Sequence, residues 1–237
     1  MDFAPFIVLA LVIFGVISIV AYLSRQKRLE YMAQLAAKHG FSYRGEVVNK
    51  QFDGTWWDFF GGRTQPPSDG AGTVQLFNRG DNRKINFEMR KQTPHGELMI
   101  FEYTFEEGSG EDTHYYNYKV AILDTPFYSP PLRVHPAGTF LWLAKKFGKQ
   151  DIELESAEFN ERFLVQSPQE KFAYDFLTPK MMEFFMRWPM WHFEVSLGDF
   201  IFYQSGKLDE QFIIWAERYM MDIQAIVPDY LRKDYGR

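Results

Sequence analysis

The first part of the chain shows no alternation of polar and apolar positions. No charged residue lies between Asp2 and Arg25, and the 22 residues from Phe3 to Ser24 are mostly Ile, Val, Leu, Phe and Ala. As an α-helix this segment would be roughly 33 Å long, enough to cross a hydrocarbon core of about 30 Å. Only a helix or a closed barrel satisfies its own backbone hydrogen bonds in lipid. The pattern therefore predicts a transmembrane anchor over residues 1–24.

The flanks of this segment predict its orientation. Arg25, Lys27 and Arg28 follow the segment, whereas only Asp2 precedes it. Because positive residues stay on the cytoplasmic side, we expect a protein of the inner (cytoplasmic) membrane with its N-terminus out and its soluble domain in the cytoplasm. The alternative is a cleaved signal peptide, which has a basic start, a shorter apolar core and small residues at the cleavage site. The acidic start and the full-length span favour the anchor.

Helical spacing continues beyond the anchor. Apolar residues recur at i, i+3, i+4 and i+7: Leu29, Met32, Ala33 and Ala36. Gly40 then stands where many helices end in a left-handed residue. We therefore expect a juxtamembrane helix over residues 25–40 that continues the membrane helix and holds the soluble domain close to the bilayer.

A period of two replaces the helical spacing in the middle of the chain. Three rows of apolar residues alternate with polar ones, beginning at Ile85, Met99 and Tyr116. An acidic, glycine-containing segment over residues 107–112 separates the last two rows and predicts a hairpin loop. One apolar and one polar face are typical of an antiparallel sheet that is covered on a single side.

Strand and helix signals mix in the last hundred residues. Short strands are predicted at Ile152–Leu154 and Phe163–Val165. Helix starts are predicted at Thr139, at Ser167 through a capping box with Glu170, and at Thr178-Pro179. A hairpin turns at Gly198-Asp199, and a final helix carries an apolar stripe from Phe212 to Ile223.

Strands and helices in blocks predict an α+β fold, in which a single transmembrane helix precedes a soluble domain of antiparallel sheet plus helices. We expect a strand-rich lobe over residues 41–135 and an α+β lobe over residues 136–237.

Composition excludes several functional classes. The 237-residue chain has a net charge of −5, so it offers no basic surface for nucleic acid. It has no cysteine, which excludes a disulfide framework, a cysteine-ligated metal and a thiol nucleophile. The membrane segment has no histidine and no internal charge, so it supplies no strong haem ligand and no proton relay. We expect no cofactor.

No residue set points to a known chemistry. No two of the five histidines lie at metal-binding helical spacing, and no HExxH pattern is present. We therefore predict no catalytic and no metal-binding residue. The alternative is a membrane-tethered enzyme or small-ligand-binding domain with its site near His114, His135 or His192.

One aromatic cluster suggests a partner. Four large aromatic residues stand beside a glycine-rich segment: Trp56, Trp57, Phe59 and Phe60. Successive side chains of a strand point to opposite faces, so two of the four should point away from the sheet's core side. They form either a second small core or an anchor on a partner protein or at the lipid interface. They are our interface candidates.

Two segments carry a resemblance: IELESAEFNERFLV at residues 152–165 and LTPKMME at residues 177–183. Both resemble a family of bacterial membrane-anchored proteins of uncharacterised function. The resemblance implies structural roles, with Ser156 as a helix cap, Phe159 and Phe163 in the core, and Pro179 in a first helical turn. It implies a bacterial, membrane-anchored protein and no catalytic residue.

Together these observations predict a non-catalytic, single-pass membrane protein. Its cytoplasmic domain would serve as an accessory or assembly subunit of a larger bacterial membrane complex, respiratory or photosynthetic. Its partners would be the lipid bilayer and other proteins of that complex, and not nucleic acid.

Overall fold

The anchor and the juxtamembrane stretch form one helix, α1 (Ala4–Lys38), as the spacing predicted. Here the chain is described by a computed structural model over residues 4–47, 74–125, 129–137, 152–188, 191–196 and 198–235. Gly40 adopts a φ of +72° and ends α1 in a Schellman motif. In that motif the Phe41 N–H donates to the Ala36 carbonyl at 2.8 Å, and the Gly40 N–H donates to the Ala37 carbonyl at 3.2 Å.

The described residues form an eight-stranded sheet in which every neighbouring pair is antiparallel. The strands are β1 (Ser42–Val47), β2 (Asp81–Thr93), β3 (Gly96–Glu107), β4 (His114–Asp124), β5 (Leu132–Pro136), β6 (Phe163–Gln166), β7 (His192–Ser196) and β8 (Asp199–Ser205). Their spatial order is β1-β2-β3-β4-β8-β7-β5-β6. Because β4 pairs with β8, strands from before and after residue 135 share one sheet.

Helices cover one face of this sheet. They are the end of α1 together with α2 (Ala157–Arg162), α3 (Glu170–Phe176), α4 (Pro179–Arg187), α5 (Glu210–Ile226) and α6 (Asp229–Tyr235). Their buried side chains form one core with residues such as Ile100, Phe193 and Phe202 of the sheet. The prediction of a membrane helix followed by an α+β domain is confirmed.

The expectation of a sheet covered on one side is wrong. The opposite face carries its own apolar cluster, which includes Met99, Phe101 and Tyr103 and extends to Leu76 and Phe77 in a 3-10 turn, Gln75–Asn78. Polar residues in the alternation, such as Glu88 and Glu102, are buried as well. Alternation of polarity therefore did not distinguish a covered face from an exposed one.

A bulge in β2 moves its side chains from one face to the other. Asn86 is in register with Glu102 and Met89 with Ile100, so Phe87 and Glu88 together face the single residue Phe101 of β3. As a result Phe87 and Met89 enter the helix-side core, whereas Ile85 lies in the opposite cluster. A period of two cannot show such a shift.

Two local predictions fail for identifiable reasons. Ser167 does not cap α3, because the helix begins at Glu170 and its N-cap is Gln169. The Ser167 Oγ instead donates to the Pro131 carbonyl at 2.8 Å and accepts the Gln169 N–H at 3.1 Å. Residues 152–154 are not a strand, although Ile152 and Leu154 are buried. Their local partner is Asn160, whose side chain bonds the Leu154 N–H and carbonyl at 3.0 and 2.8 Å. The predicted helix from Thr139 lies outside the described residues.

Candidate functional site between the membrane helix and the sheet

Helix α1 changes character along its length. The apolar residues of its first part are exposed, as shown by Phe14, which is 71% exposed. From Met32 onward one side of the helix enters the helix-side core, where Met32, Leu35 and Ala36 are at most 4% exposed. The first part is long and apolar enough to cross a membrane. The last two turns therefore belong to the soluble domain.

Arg28 joins the two parts. Its Nη2 donates to Glu102 Oε2 at 2.9 Å and to the Leu208 carbonyl at 3.0 Å. Its guanidinium also lies 5.0 Å from the centroid of the Phe87 ring. The same Glu102 oxygen accepts the Leu208 N–H at 2.7 Å, so a nearly buried carboxylate is compensated by one cation and one amide. One residue thus ties α1 to β3 and to the segment that enters α5.

A second group of ion pairs holds the end of α1. Lys38 Nζ donates to Glu210 Oε1 at 2.7 Å, and His39 Nε2 lies 3.0 Å from the same oxygen. The hydrogen bond from Lys38 is the largest cause of the lowered pKa of Glu210. Lys91 of β2 donates to the His39 carbonyl at 3.1 Å. The helix is therefore fixed to the domain at both ends of its buried part.

A cleft of about 380 Å³ lies where α1 leaves its apolar segment. Ser24 and Arg25 form its membrane-proximal side, and Arg28 and Lys207 add two more cationic groups. The sheet contributes neutral polar side chains, namely Asn86, Thr104 and Asn117. Glu102 also reaches the cleft, already paired with Arg28. The described residues of the lining are therefore mostly polar or cationic.

Backbone strain is present in the wall of this cleft. Phe87 lines the cleft and occupies the bulge with a φ of +57°. A left-handed conformation costs a residue with a side chain roughly 1–2 kcal/mol, and glycine is the usual occupant of such a bulge. The buried ring beneath Arg28 keeps a phenylalanine in this position.

A polar cluster is buried on the opposite face of the sheet. His135 Nδ1 and His192 Nδ1 lie 3.0 Å apart, which requires one nitrogen to donate and the other to accept. The Tyr203 ring stacks on His192 at 4.8 Å between centroids, and the Tyr203 hydroxyl donates to Glu194 Oε1 at 2.8 Å. Arg133 Nε lies 3.6 Å from the other Glu194 oxygen.

Burial controls the protonation of the two histidines. It lowers the pKa of His192 to about 3. It also lowers the pKa of His135 well below the ordinary value, with further lowering from His192 and Arg133. The two residues are 3% and 6% exposed, so both are nearly buried. The described part of the chain also contains no group of three or more residues suited to hold a metal ion. A neutral, nearly buried pair of this kind fits a structural role.

The sequence-predicted residues have different outcomes. Arg25 and Arg28 line the cleft, and Lys27 is an exposed residue of the same helix. The interface candidates Trp56, Trp57, Phe59 and Phe60 lie outside the described residues.

The histidines of the alternative site divide into two groups. His135 and His192 are in contact. His114 is exposed at the first position of β4, and Val120 is the residue of that strand in register with Tyr203. Six residues of strand separate His114 from this register, about 20 Å. His114 therefore belongs to no common site with the pair.

The residues on the sheet side of the cleft were not predicted from the sequence. Asn117 and Lys207 carry no motif, and they meet Arg25 only because β4 pairs with β8, the strand that precedes Lys207. The one available signal was the exception in the β3 row, where Glu102 interrupts a run of residues that are otherwise mostly apolar or aromatic. A carboxylate at such a position requires a compensating cation.

Comparisons with known proteins give one fold-level match. No protein-family model matches the chain, and no curated protein is significantly similar to it. The crystal structure of the mycobacterial trehalose monomycolate transport factor A, TtfA, is similar with a TM-score of 0.52 and 14% sequence identity. The match covers 83% of this chain and 94% of the TtfA chain. At this identity the similarity shows the fold alone.

Proposed function

We propose that this chain is a non-catalytic, single-pass membrane protein that serves as an accessory or assembly factor of a larger bacterial membrane complex. The observation that carries the proposal is the continuity of α1. One helix is exposed and apolar where it would lie in lipid and is part of the protein core from Met32 onward. Such a helix holds the domain at the membrane surface with a set orientation, which suits a factor that contacts other membrane proteins.

The process in which the complex acts is also part of the proposal. The structural neighbour is described as a transport factor for trehalose monomycolate, and a shared fold makes a transport complex our first candidate. The respiratory or photosynthetic complex suggested by the sequence stays a prediction. Membership of the family of bacterial membrane-anchored proteins that two segments resemble also stays a prediction.

The non-catalytic role is supported by the chemistry of the described residues. Two strongly perturbed titratable groups, His135 and His192, are nearly buried, and burial lowers the pKa of both. A general acid or base must come within hydrogen-bond reach of its substrate. The alternative of a membrane-tethered enzyme therefore receives no support from this pair.

The orientation of the chain in the membrane is also part of the proposal. We place the N-terminus out and the soluble domain in the cytoplasm, because Arg25, Lys27 and Arg28 follow the apolar segment. The chain has no cysteine, so a single introduced thiol reports its own position. Ser109→Cys, in the exposed loop between β3 and β4, should resist an impermeant maleimide in spheroplasts and react after lysis. Asp2→Cys, as the matched control, should react in intact spheroplasts. The opposite pattern would reverse the orientation.

Purification from the native membrane tests the accessory role. The full chain is extracted in mild detergent and compared with a variant whose residues 4–24 are replaced by an unrelated single-pass segment. If the soluble domain contacts the partner, both proteins should elute in the same complex with the same co-purifying subunits at constant ratio. A chain that elutes alone, at its own 28.0 kDa plus the micelle, would contradict the proposal.

A further inference from the structure

We propose that the cleft between α1 and the sheet binds the phosphate group of an anionic phospholipid headgroup. The inference rests on the proposed function in one respect only, namely that α1 spans a bilayer. The cleft then lies at the depth of the headgroups, because Ser24, the last residue of the uncharged segment, and Arg25, the first charge after it, both line it.

The charge of the cleft suits an anion. Among the described residues, the cationic side chains of Arg25, Arg28 and Lys207 line the cleft, together with one carboxylate, that of Glu102. This carboxylate is already compensated by Arg28 and by the Leu208 N–H. Among the described lining residues, cationic side chains therefore outnumber carboxylates. Guanidinium and ammonium groups are the side chains that form strong, charge-assisted hydrogen bonds to phosphate.

The shape and the other lining groups suit a headgroup. A volume of about 380 Å³ lies toward the lower end of ligand pockets, which span about 300–1,000 Å³. Asn86, Thr104 and Asn117 add hydrogen-bonding groups beyond the cations. Phe87 is the apolar member of the lining. Such a site takes a compact polar group and leaves the acyl chains in the bilayer.

The side chains of Arg28 and Phe87 in the cleft are held in fixed positions by the surrounding structure. Arg28 is held in place by Glu102, by the Leu208 carbonyl and by the Phe87 ring. Phe87 is buried in a left-handed conformation within a bulge. Strained conformations that the surrounding structure enforces are concentrated at ligand sites. Basic pockets beside membrane helices are a known means of binding anionic lipid headgroups.

Lipid retention tests the proposal with a matched pair of variants. The full chain is reconstituted in nanodiscs of phosphatidylcholine with a minority of phosphatidylglycerol, then transferred to mild detergent, and bound lipid is measured by native mass spectrometry. Wild type should retain phosphatidylglycerol in preference to phosphatidylcholine. Lys207→Gln and Lys27→Gln each remove one exposed charge close to the membrane, but only Lys207 lines the cleft.

The two variants should therefore differ. We expect Lys207→Gln to reduce retained phosphatidylglycerol at least about tenfold, and Lys27→Gln to reduce it less than about threefold. Arg28 is left unchanged, because it also stabilises the fold. Equal losses in both variants would indicate diffuse surface attraction and overturn the proposal. Thermal unfolding of each variant verifies that the fold is intact.

A second experiment distinguishes a lipid headgroup from free phosphate as the ligand of the cleft. The chain in pure phosphatidylcholine nanodiscs is exposed to inorganic phosphate or to chloride at equal ionic strength, and hydrogen exchange is followed in peptides containing Ser24–Arg28 and Lys207. Phosphatidylglycerol retention without a phosphate effect supports the lipid source. Protection by phosphate without lipid retention assigns the site to a free anion and overturns the lipid source. If neither lipid retention nor protection by phosphate is observed, the proposed site itself is overturned. Loss of the chain from membranes in an alkaline wash would instead contradict the anchor.

Discussion

Arg28 of α1 and Glu102 of β3 are 74 residues apart in the chain, and their side chains meet at 2.9 Å. The contact fastens the helix that leaves the membrane to the centre of the sheet. Glu102 is almost buried, so its charge depends on Arg28 and on the Leu208 N–H. The pair is one of the specific contacts that fix α1 to the sheet.

Breaking this pair should destabilise the domain. Arg28→Met leaves the Glu102 carboxylate without its cation, and we expect a loss of about 2 kcal/mol in the free energy of unfolding. The loss is smaller than for a fully buried pair, because the Arg28 side chain is 32% exposed and solvent screens part of the interaction.

Adding Glu102→Gln should restore part of that stability, since the uncompensated charge is removed. Denaturant unfolding of Arg28→Met, Glu102→Gln and the double variant in detergent measures the coupling energy between the two residues. Lys171→Met removes the exposed Lys171–Asp175 pair and should change nothing measurable. Additive losses for Arg28 and Glu102 would contradict the proposed dependence.

Two truncations should separate the anchor from the domain. A chain of residues 25–237 keeps the buried turns of α1 and should be soluble and unfold cooperatively. A chain of residues 41–237 lacks Met32, Leu35 and Ala36, whose loss from the core costs more than about 5 kcal/mol in total. That is comparable to the whole stability of many domains, about 5–15 kcal/mol. The shorter chain should be recovered as aggregate. Circular dichroism melting distinguishes the outcomes, and two equally stable fragments would show that α1 is not part of the core.

At position 87 a glycine should give a more stable protein than an alanine, which is the reverse of the usual order in a β-strand. Both substitutions of Phe87 lose the buried ring, but at a φ of +57° glycine adopts the backbone without strain. We expect Phe87→Gly to be more stable than Phe87→Ala by about 0.5–1 kcal/mol. At Phe101, which faces the bulge from β3, alanine should be the more stable of the two. Chemical denaturation gives both differences, and the same order at both sites would show that the bulge is not strained.

Acid should destabilise the fold through His135 and His192. Above pH 6.5 these rings are neutral in both the folded and the unfolded chain. Below it the unfolded chain binds protons that the folded chain does not, because burial lowers the pKa of both rings. The free energy of unfolding should therefore fall with decreasing pH, by about 1 kcal/mol per pH unit for each histidine.

The double variant His135→Asn with His192→Asn should lose most of this pH dependence between pH 6 and pH 4.5, whatever its absolute stability. His114→Asn, which changes an exposed histidine, should keep the wild-type slope. Unfolding curves at several pH values give the slopes. A double variant as acid-sensitive as wild type would rule out the buried pair as the cause.

Much of the architecture was predictable because it follows from local chemistry. Twenty-two uncharged residues specify a membrane-length helix, and Gly40 ends that helix because it adopts a positive φ at no steric cost. Thr178 and Pro179 specified a helix start, and the Thr178 side chain accepts the Met181 N–H at 3.3 Å. Each of these signals acts within a few residues, so the sequence displays it directly.

Tertiary structure alone decided what those elements form together. The β2 bulge moves Phe87 to the other face of the sheet, and the pairing of β4 with β8 brings Lys207 toward Arg25. The pKa values of His135 and His192, partners 57 residues apart, are lowered because the fold removes both rings from water. Register, burial and charge compensation depend on groups distant in the chain. For that reason the sequence alone specified the anchor and the class of fold, whereas the cleft beside the membrane exists only in the folded protein.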